Sequence, residues 1–462
     1  AIQAALNAIA ATGNGALYLP GGRTYKAVGL TWGGSGNLRI YGDGPGTVVN
    51  IANTTGTLFT GTAGTIDISD MTVQHPTHDA STGGFFFKFS NSFSTIRNIA
   101  FYNGYNVARW EDGCDHSGAI NILARGVKND LFNVDVSTAL PPTQQHGNIF
   151  FDQITSQAFN TNTGAGLRAV SCDGLFISNS LIAGYQNGVI AQPSASRSYL
   201  ANIFMTNVIV DGAGGPSGAG PGMAFDGTNH PLLRVSISNT WVGSMAGGHG
   251  VSILQTKSFS WVGGYVIDNG NYGVVVDNGS REVLLDSLTV TGNSSSSSGT
   301  YDGILVFTGA NNVRIKNCRS GANYNATDAT TQNNTQRYGI NINDPGTTNY
   351  EVFGNDVSSN VTGGISDNGG SGGRRLVANN LGYNPLGIST ITLGASPATY
   401  TAGATPETVF IAGGTVTQIT VSGTQICGPL SGGPCATIPL NPNQSMVVTY
   451  TGAPSVTVRN RQ

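Results

Sequence analysis

The chain has 462 residues, of which 67 are Gly and 44 Asn, so nearly a quarter of it is one of two turn-forming types and it is not mostly helical. Hydrophobic residues make up 39%, enough for a large core, whereas charged residues are only 10% against an average of about 25%. Its 21 basic and 24 acidic residues leave a net charge of −3, which argues against nucleic acid or an anionic membrane as partner, because either selects a basic face.

A prior of roughly one domain per 150 residues suggests three domains, but repeat folds often exceed that length as one unit. No apolar run of about 18 residues is present, so no membrane-spanning helix is expected. The chain opens at Ala1 without Met or a signal peptide, and any targeting segment is expected to be trimmed or lacking. Five Cys are too few for a disulfide scaffold. Cys427 and Cys435 flank the turn CGPLSGGPC, which either closes a short loop in an oxidising compartment or holds two free thiols.

Ile2, Leu6 and Ile9 share one helical face, which predicts a short amphipathic helix over 1–15. A strand, a Pro-Gly turn and another strand follow in GALYLPGGRTYKA. Thereafter a repeat takes over: Gly followed by alternating apolar residues at Gly166, Gly188, Gly222, Gly250, Gly273, Gly303, Gly339 and Gly364. Intervals of 22 to 36 residues mean one fixed strand whose corners accept insertions.

About ten residues after each such strand comes a second, ending in Asn179, Asn207, Asn239, Asn317 or Asn355, with Asp286 in that place once. Asn tolerates left-handed backbone and stacks into hydrogen-bonded ladders, so it suits a corner shared by every coil. Earlier coils show less regularly around LRIYGDG, IDISD and STIRN. The pattern predicts an all-β chain, a parallel β-helix over 16–387 of about fourteen coils, some 65 Å long at ~4.8 Å per strand. The helix is placed to cap the exposed strand edges at the N-terminal end. From 388 the texture changes to Thr/Val/Ile alternation with Gly-Gly and Asn-Pro turns, which predicts a small antiparallel β domain over 388–462 that caps the rod or joins subunits.

The opening AIQAALNAIAATGNGALYLPGGRTYKA resembles the N-terminal signature of the pectate-lyase-like proteins, phage tailspikes included, and the likeness extends more loosely to about residue 385. The resemblance implies a right-handed parallel β-helix, a polysaccharide as partner, an extracellular or virion-tail location and assembly as a homotrimer. It leaves the reaction open among hydrolases, lyases, epimerases and binders.

No Gly-Lys-Ser/Thr phosphate loop, His-Glu-x-x-His zinc motif or EF-hand loop occurs, so no cofactor or metal is expected. Cleaving a glycosidic bond needs two facing carboxyl groups. In the Gly-led strands the first and third residues after Gly point inward and the second and fourth outward. Asp226 and Asp277 both hold the fourth position, two coils and about 10 Å apart, a spacing that suits an inverting hydrolase better than a retaining one. His249 lies in the coil between them, and Asp302 extends the acidic strip; the bland alternative is corner Asp residues bonding their own turns.

A second cluster, ARWEDGCDHSG, gathers Arg109, Trp110, Glu111, Asp112, Asp115 and His116. Glu111 and Asp115 are candidate acids, with Trp110 as a sugar-stacking platform and Arg109 and His116 as further contacts; alternatively Trp110 is core and the acids a solvated loop. A lyase instead needs a cation on a uronate carboxylate, for which Arg168 and the doublet Arg374 and Arg375 are candidates. Tyr185, Tyr272, Tyr301 and Tyr338 stand near corners where they can line subsites, while Trp261 has core parity. The leading expectation is an endo-acting polysaccharide depolymerase using two carboxylates. A uronate lyase, a non-catalytic tail fibre or adhesin and a structural rod are the alternatives.

Overall fold

The computed structural model describes residues 1–460 apart from 78–81, 91, 112, 136–146, 159–161, 195–199, 213–219, 325–331, 371–372, 384–387 and 432–435. Asp112 and Cys435 therefore lie outside the described residues.

Most of the chain winds as a parallel β-helix, in which each coil contributes a short strand and then a long one. Among the described residues thirteen short strands, from Leu30–Trp32 to Gly363–Asp367, stack into one parallel sheet that forms the first face of the rod. At ~4.8 Å per strand this stack is roughly 60 Å long. A second parallel sheet of 17 strands contains the long strands, such as Cys172–Ala183, Leu200–Asp211, Leu232–Gly243, Thr256–Ile267 and Arg281–Thr291. Each of these long strands bends near its middle at a residue with left-handed backbone, so its two halves make a second and a third face.

That bend is where the Asn residues sit. Asn98, Asn121, Asn179, Asn207, Asn239 and Asn317 all have φ between 47° and 54°. Their side chains bond along the rod: Asn121 Nδ2 donates to Asn98 Oδ1 at 2.9 Å and Asn207 Nδ2 to Asn179 Oδ1 at 3.2 Å. Two expected members are off by one residue. Lys316 pairs with Phe353 and Val262 with Asp286, which puts Gly354 (φ 69°) and Ser287 (φ 56°) at the bend. Asn355 points inward instead, in a second, buried ladder with Asn380, while Asn269 and Asn293 stack in the same way.

The recurrent Gly has a different cause from the bends. A Cβ on Gly188 would come within 2.1 Å of Val210 Cγ1, and one on Gly250 within 2.5 Å of Val266 Cγ1. The third-face Val therefore fills the space that a side chain would need, and only Gly closes the coil.

The opening helix spans Ile2–Thr12, with Leu6 wholly buried and Ile2 and Ile9 packed on the end of the core. Its Gln3 amide exchanges two hydrogen bonds with the backbone of Thr31, at 2.8 and 3.0 Å, and so covers the edge of the terminal short strand. From Ile388 to Asn460 the strands pair antiparallel in two small sheets with a core of their own, including Val409, Ile411, Ile419, Val448 and Val456. Among the described residues no helix is long and apolar enough to cross a membrane.

Candidate functional site

The register expected for the first face holds: Asp226 pairs with Leu254, and Leu254 with Asp277. Both carboxylates, however, serve their own turns. Asp226 accepts Thr228 N at 2.9 Å and Gln192 Nε2 at 2.8 Å, and Asp277 accepts Asn278 N at 2.6 Å.

His249 and Asp302 do not join this pair. Each precedes the Gly that opens its short strand, whereas Asp226 and Asp277 close theirs, roughly 16 Å away at ~3.3 Å per residue. His249 packs instead against Tyr272 with tilted rings, at 5.3 Å between centroids, and Tyr272 meets Tyr301 edge to face at 4.9 Å. Burial lowers the His249 pKa and leaves its Nδ1 without a partner among the described residues. Burial also raises that of Tyr272, with the nearby Asp302 charge adding to it. Asp302 is completely buried and held by both arms of Arg337, at 2.9 and 2.8 Å, by Asn341 and by the Tyr338 amide. An acid so enclosed is a structural anchor and not a group facing a groove.

The ARWEDGCDHSG cluster is divided by its strand. Trp110 is 0% exposed and packs against Phe89, Phe132 and Phe151, so it is core and offers no face to a sugar. Glu111 is buried between Lys88 and Arg109, each at 3.1 Å, and Arg109 also bonds Asp135 at 3.0 Å. At the following corner His116 is exposed and Asp115 half-buried, accepting the amides of His116 and Asn148. Glu111 lies four short strands from Asp226, about 19 Å at ~4.8 Å per strand, so the two acidic groups do not share a site. Arg168 is engaged by buried Asp130 at 3.2 Å. Tyr185 is buried against Ser156, which removes it from the subsite candidates.

The sequence reading missed a groove on the third face. It is lined by Ile209, Asp211, Asn239, Trp241, Gly264 and Tyr265. Ile209, Trp241 and Tyr265 stand in register on three successive strands, and Tyr265 is 52% exposed. Two aromatic faces in line along a groove are what the apolar face of a pyranose covers. Asp211 pairs with Gly243 and Gly243 with Ile267, so the position between the outer two carries no side chain. Asp268, next after Ile267, has a pKa raised by burial, partly offset by the hydrogen bonds from Asn323. Asp211, Trp241 and Tyr265 thus line one groove, the Trp241 ring lies over Gly243, and Asp268 stands at the corner that follows the Tyr265 strand.

No family model matches the chain, and no curated protein matches it. Solved structures do. Bacteriophage CBA120 tailspike protein 3 superposes with a TM-score of 0.61 at 13% identity over 85% of this chain, which spans 60% of that protein's length. A single-residue mutant of the E. coli bacteriophage HK620 tailspike, solved in complex with a pentasaccharide, gives 0.55 at 12% identity over 100% of this chain and 89% of that one. The chain is, in fold, a parallel β-helix like those of the phage tailspikes.

Proposed function

We propose that this protein is an extracellular polysaccharide depolymerase of the tailspike kind, which binds its polymer along the third-face groove and hydrolyses it there. The observation that carries this reading is the alignment of Trp241 and Tyr265 beside Asp211. The HK620 tailspike in complex with a pentasaccharide gives a precedent on the same fold.

In this reading Asp268, whose burial favours the protonated form, gives its proton to the glycosidic oxygen, and Asp211 activates water from the other side of the bond. Their coils are two strand spacings apart, about 10 Å between backbones, a scale that admits a water and suits inversion. The pair Asp226 and Asp277 has the same spacing, with each carboxylate accepting an amide of its own turn, and is the second candidate.

Reducing-end release from a panel of bacterial surface and plant polysaccharides tests the reading directly. Products absorbing in the ultraviolet as unsaturated uronates would make the enzyme a lyase, and a polymer that binds without being shortened would leave a tail fibre or adhesin.

Assembly as a homotrimer belongs to the same proposal. Phe176 and Phe204 stack at 5.2 Å on the second face, 39% and 44% exposed, with Phe150 in register beside Phe176. Such an apolar strip suits contact with other copies of the chain. Light scattering on the protein and on Phe176→Asp/Phe204→Asp checks it: three chains are expected for the first and fewer for the second.

A further inference from the structure

Near the far end of the rod a second groove runs over the second face, and its chemistry is the opposite of the first. Asn311, Asn312, Arg314, Asn349, Tyr350, Glu351, Arg374 and Arg375 are among the residues lining it. Three of the chain's 16 Arg converge there, in a protein whose net charge is −3. Arg314 pairs in register with Glu351, but Glu351 is taken by Lys316 at 3.0 Å. Arg374 and Arg314 are both exposed, and no carboxylate pairs with either guanidinium among the described residues. Arg97, Arg109, Arg168 and Arg337 each have a carboxylate partner, whereas among the described residues Arg314 and Arg374 line one groove without one.

The floor of this groove is fixed. Arg375 donates from Nε to Asn443 Oδ1 at 3.2 Å, and Asn443 returns a bond to the Arg375 carbonyl at 3.1 Å, which ties the strand to the C-terminal sheets. Asn349 Oδ1 accepts the amide of Arg374 at 2.9 Å and holds the arginine doublet at the rim. Tyr350 lies below, its hydroxyl bonded to Asp367. The result is a concave surface with planar cationic forks at the rim and amide groups between them.

We infer that this groove binds an oxyanion carried by a sugar, a carboxylate above all, through Arg314 and Arg374. Guanidinium groups match a carboxylate with two parallel hydrogen bonds, and the surrounding Asn amides suit sugar hydroxyls. The site is separate from the Trp241 groove and needs no cleavage there. It rests on the polysaccharide reading only for the nature of the carrier. An acidic repeat unit held here anchors a chain whose other units lie elsewhere along the rod.

Calorimetric titration of the full chain with hexagalacturonate, with inorganic phosphate and with a neutral maltohexaose tests the inference. Hexagalacturonate is expected to bind, and maltohexaose not to bind at this groove. The double variant Arg314→Ala/Arg374→Ala is expected to weaken hexagalacturonate at least tenfold, whereas Arg23→Ala/Lys26→Ala, which removes the same charge from exposed positions at the opposite end of the rod, leaves it within twofold. Raising the salt concentration from 50 to 300 mM weakens binding in the wild type and has little effect on the Arg314→Ala/Arg374→Ala variant. Binding of phosphate as tight as that of hexagalacturonate overturns the sugar carrier and leaves a simple anion site. Equal hexagalacturonate binding by wild type and the Arg314→Ala/Arg374→Ala variant, or an equal loss in Arg23→Ala/Lys26→Ala, overturns the groove altogether. Neither outcome alters whether a neutral polymer is cleaved, so the depolymerase reading stands or falls separately. Both arginines are exposed and neither carries core contacts, so the double variant is expected to unfold at the wild-type temperature.

Discussion

Trp241 and Tyr265 lie side by side on adjacent strands of the third face, pointing outward, although each has the parity of core residues earlier in its own strand. Val235 and Ile237 are buried four and two residues before Asn239; past that left-handed residue the buried positions become Thr240 and Val242, and Trp241 faces out. In the next strand Phe259 and Trp261 are buried, Gly263 makes the bend, and Tyr265 emerges.

If these rings form a sugar platform, Trp241→Ala and Tyr265→Ala each weaken polysaccharide binding by about 1 kcal/mol, roughly fivefold in Kd. Affinity electrophoresis in gels containing the polymer measures it. Unchanged mobility in both variants moves the binding site off the third face.

The two carboxylate pairs make opposite predictions for catalysis. Asp211→Asn and Asp268→Asn are expected to lower kcat by about 10²–10⁴-fold with binding kept. Asp226→Asn and Asp277→Asn are expected to retain kcat within about threefold and to lose ~1 kcal/mol of stability through weaker turn bonding. The reverse outcome returns the chemistry to the first face.

Stability should respond to pH at two sites in opposite directions. The Asp268 pKa is raised in the fold, so its contribution is fully present below the ordinary aspartate value and is lost as pH rises through the folded value. Asp268→Asn is therefore expected to melt above the wild type at pH 7 and not at pH 3. The His249 pKa is lowered, so its contribution is present above the ordinary histidine value and is lost as pH falls through the folded value. His249→Phe should show a smaller drop in Tm between pH 7 and pH 5 than the wild type. Identical pH dependence in variant and wild type would show that neither group titrates with folding.

Asp302 is expected to be structural. Asp302→Asn leaves Arg337 without its carboxylate and should cost about 3 kcal/mol in urea denaturation, part of which Arg337→Gln recovers in the double variant. A loss of turnover without any loss of stability contradicts this assignment.

Close packing explains one further outcome. Gly250→Ala places a methyl group 2.5 Å from Val266 and is expected to cost about 1–3 kcal/mol, with partial rescue by Val266→Ala. Urea midpoints of the three proteins provide the comparison.

Much of the fold was legible in the order of residues, because a solenoid repeats its local rules. Gly before alternating apolar residues marks the short strand, and Asn marks the bend of the long one. The helix over Ile2–Thr12 announces itself by its apolar spacing, and the change of texture after 388 by its Thr/Val alternation. The register that aligns Asp226 with Asp277 followed from the same repeat.

What the sequence alone determined, then, is the coil and its periodicity, since these depend on contacts between neighbouring residues and equivalent ones in the next turn. The tertiary structure decided which side chains are available. A left-handed bend in the middle of a strand reverses the alternation, carrying Trp241 and Tyr265 from apparent core to surface. Trp110 went the other way, into a cluster of Phe rings contributed by other coils. The pairing of Asp302 with Arg337, and that of Glu351 with Lys316 beside Arg314, likewise depend on residues far apart in the chain. Insertions at the corners vary the spacing between coils, so no count along the sequence brings such partners together.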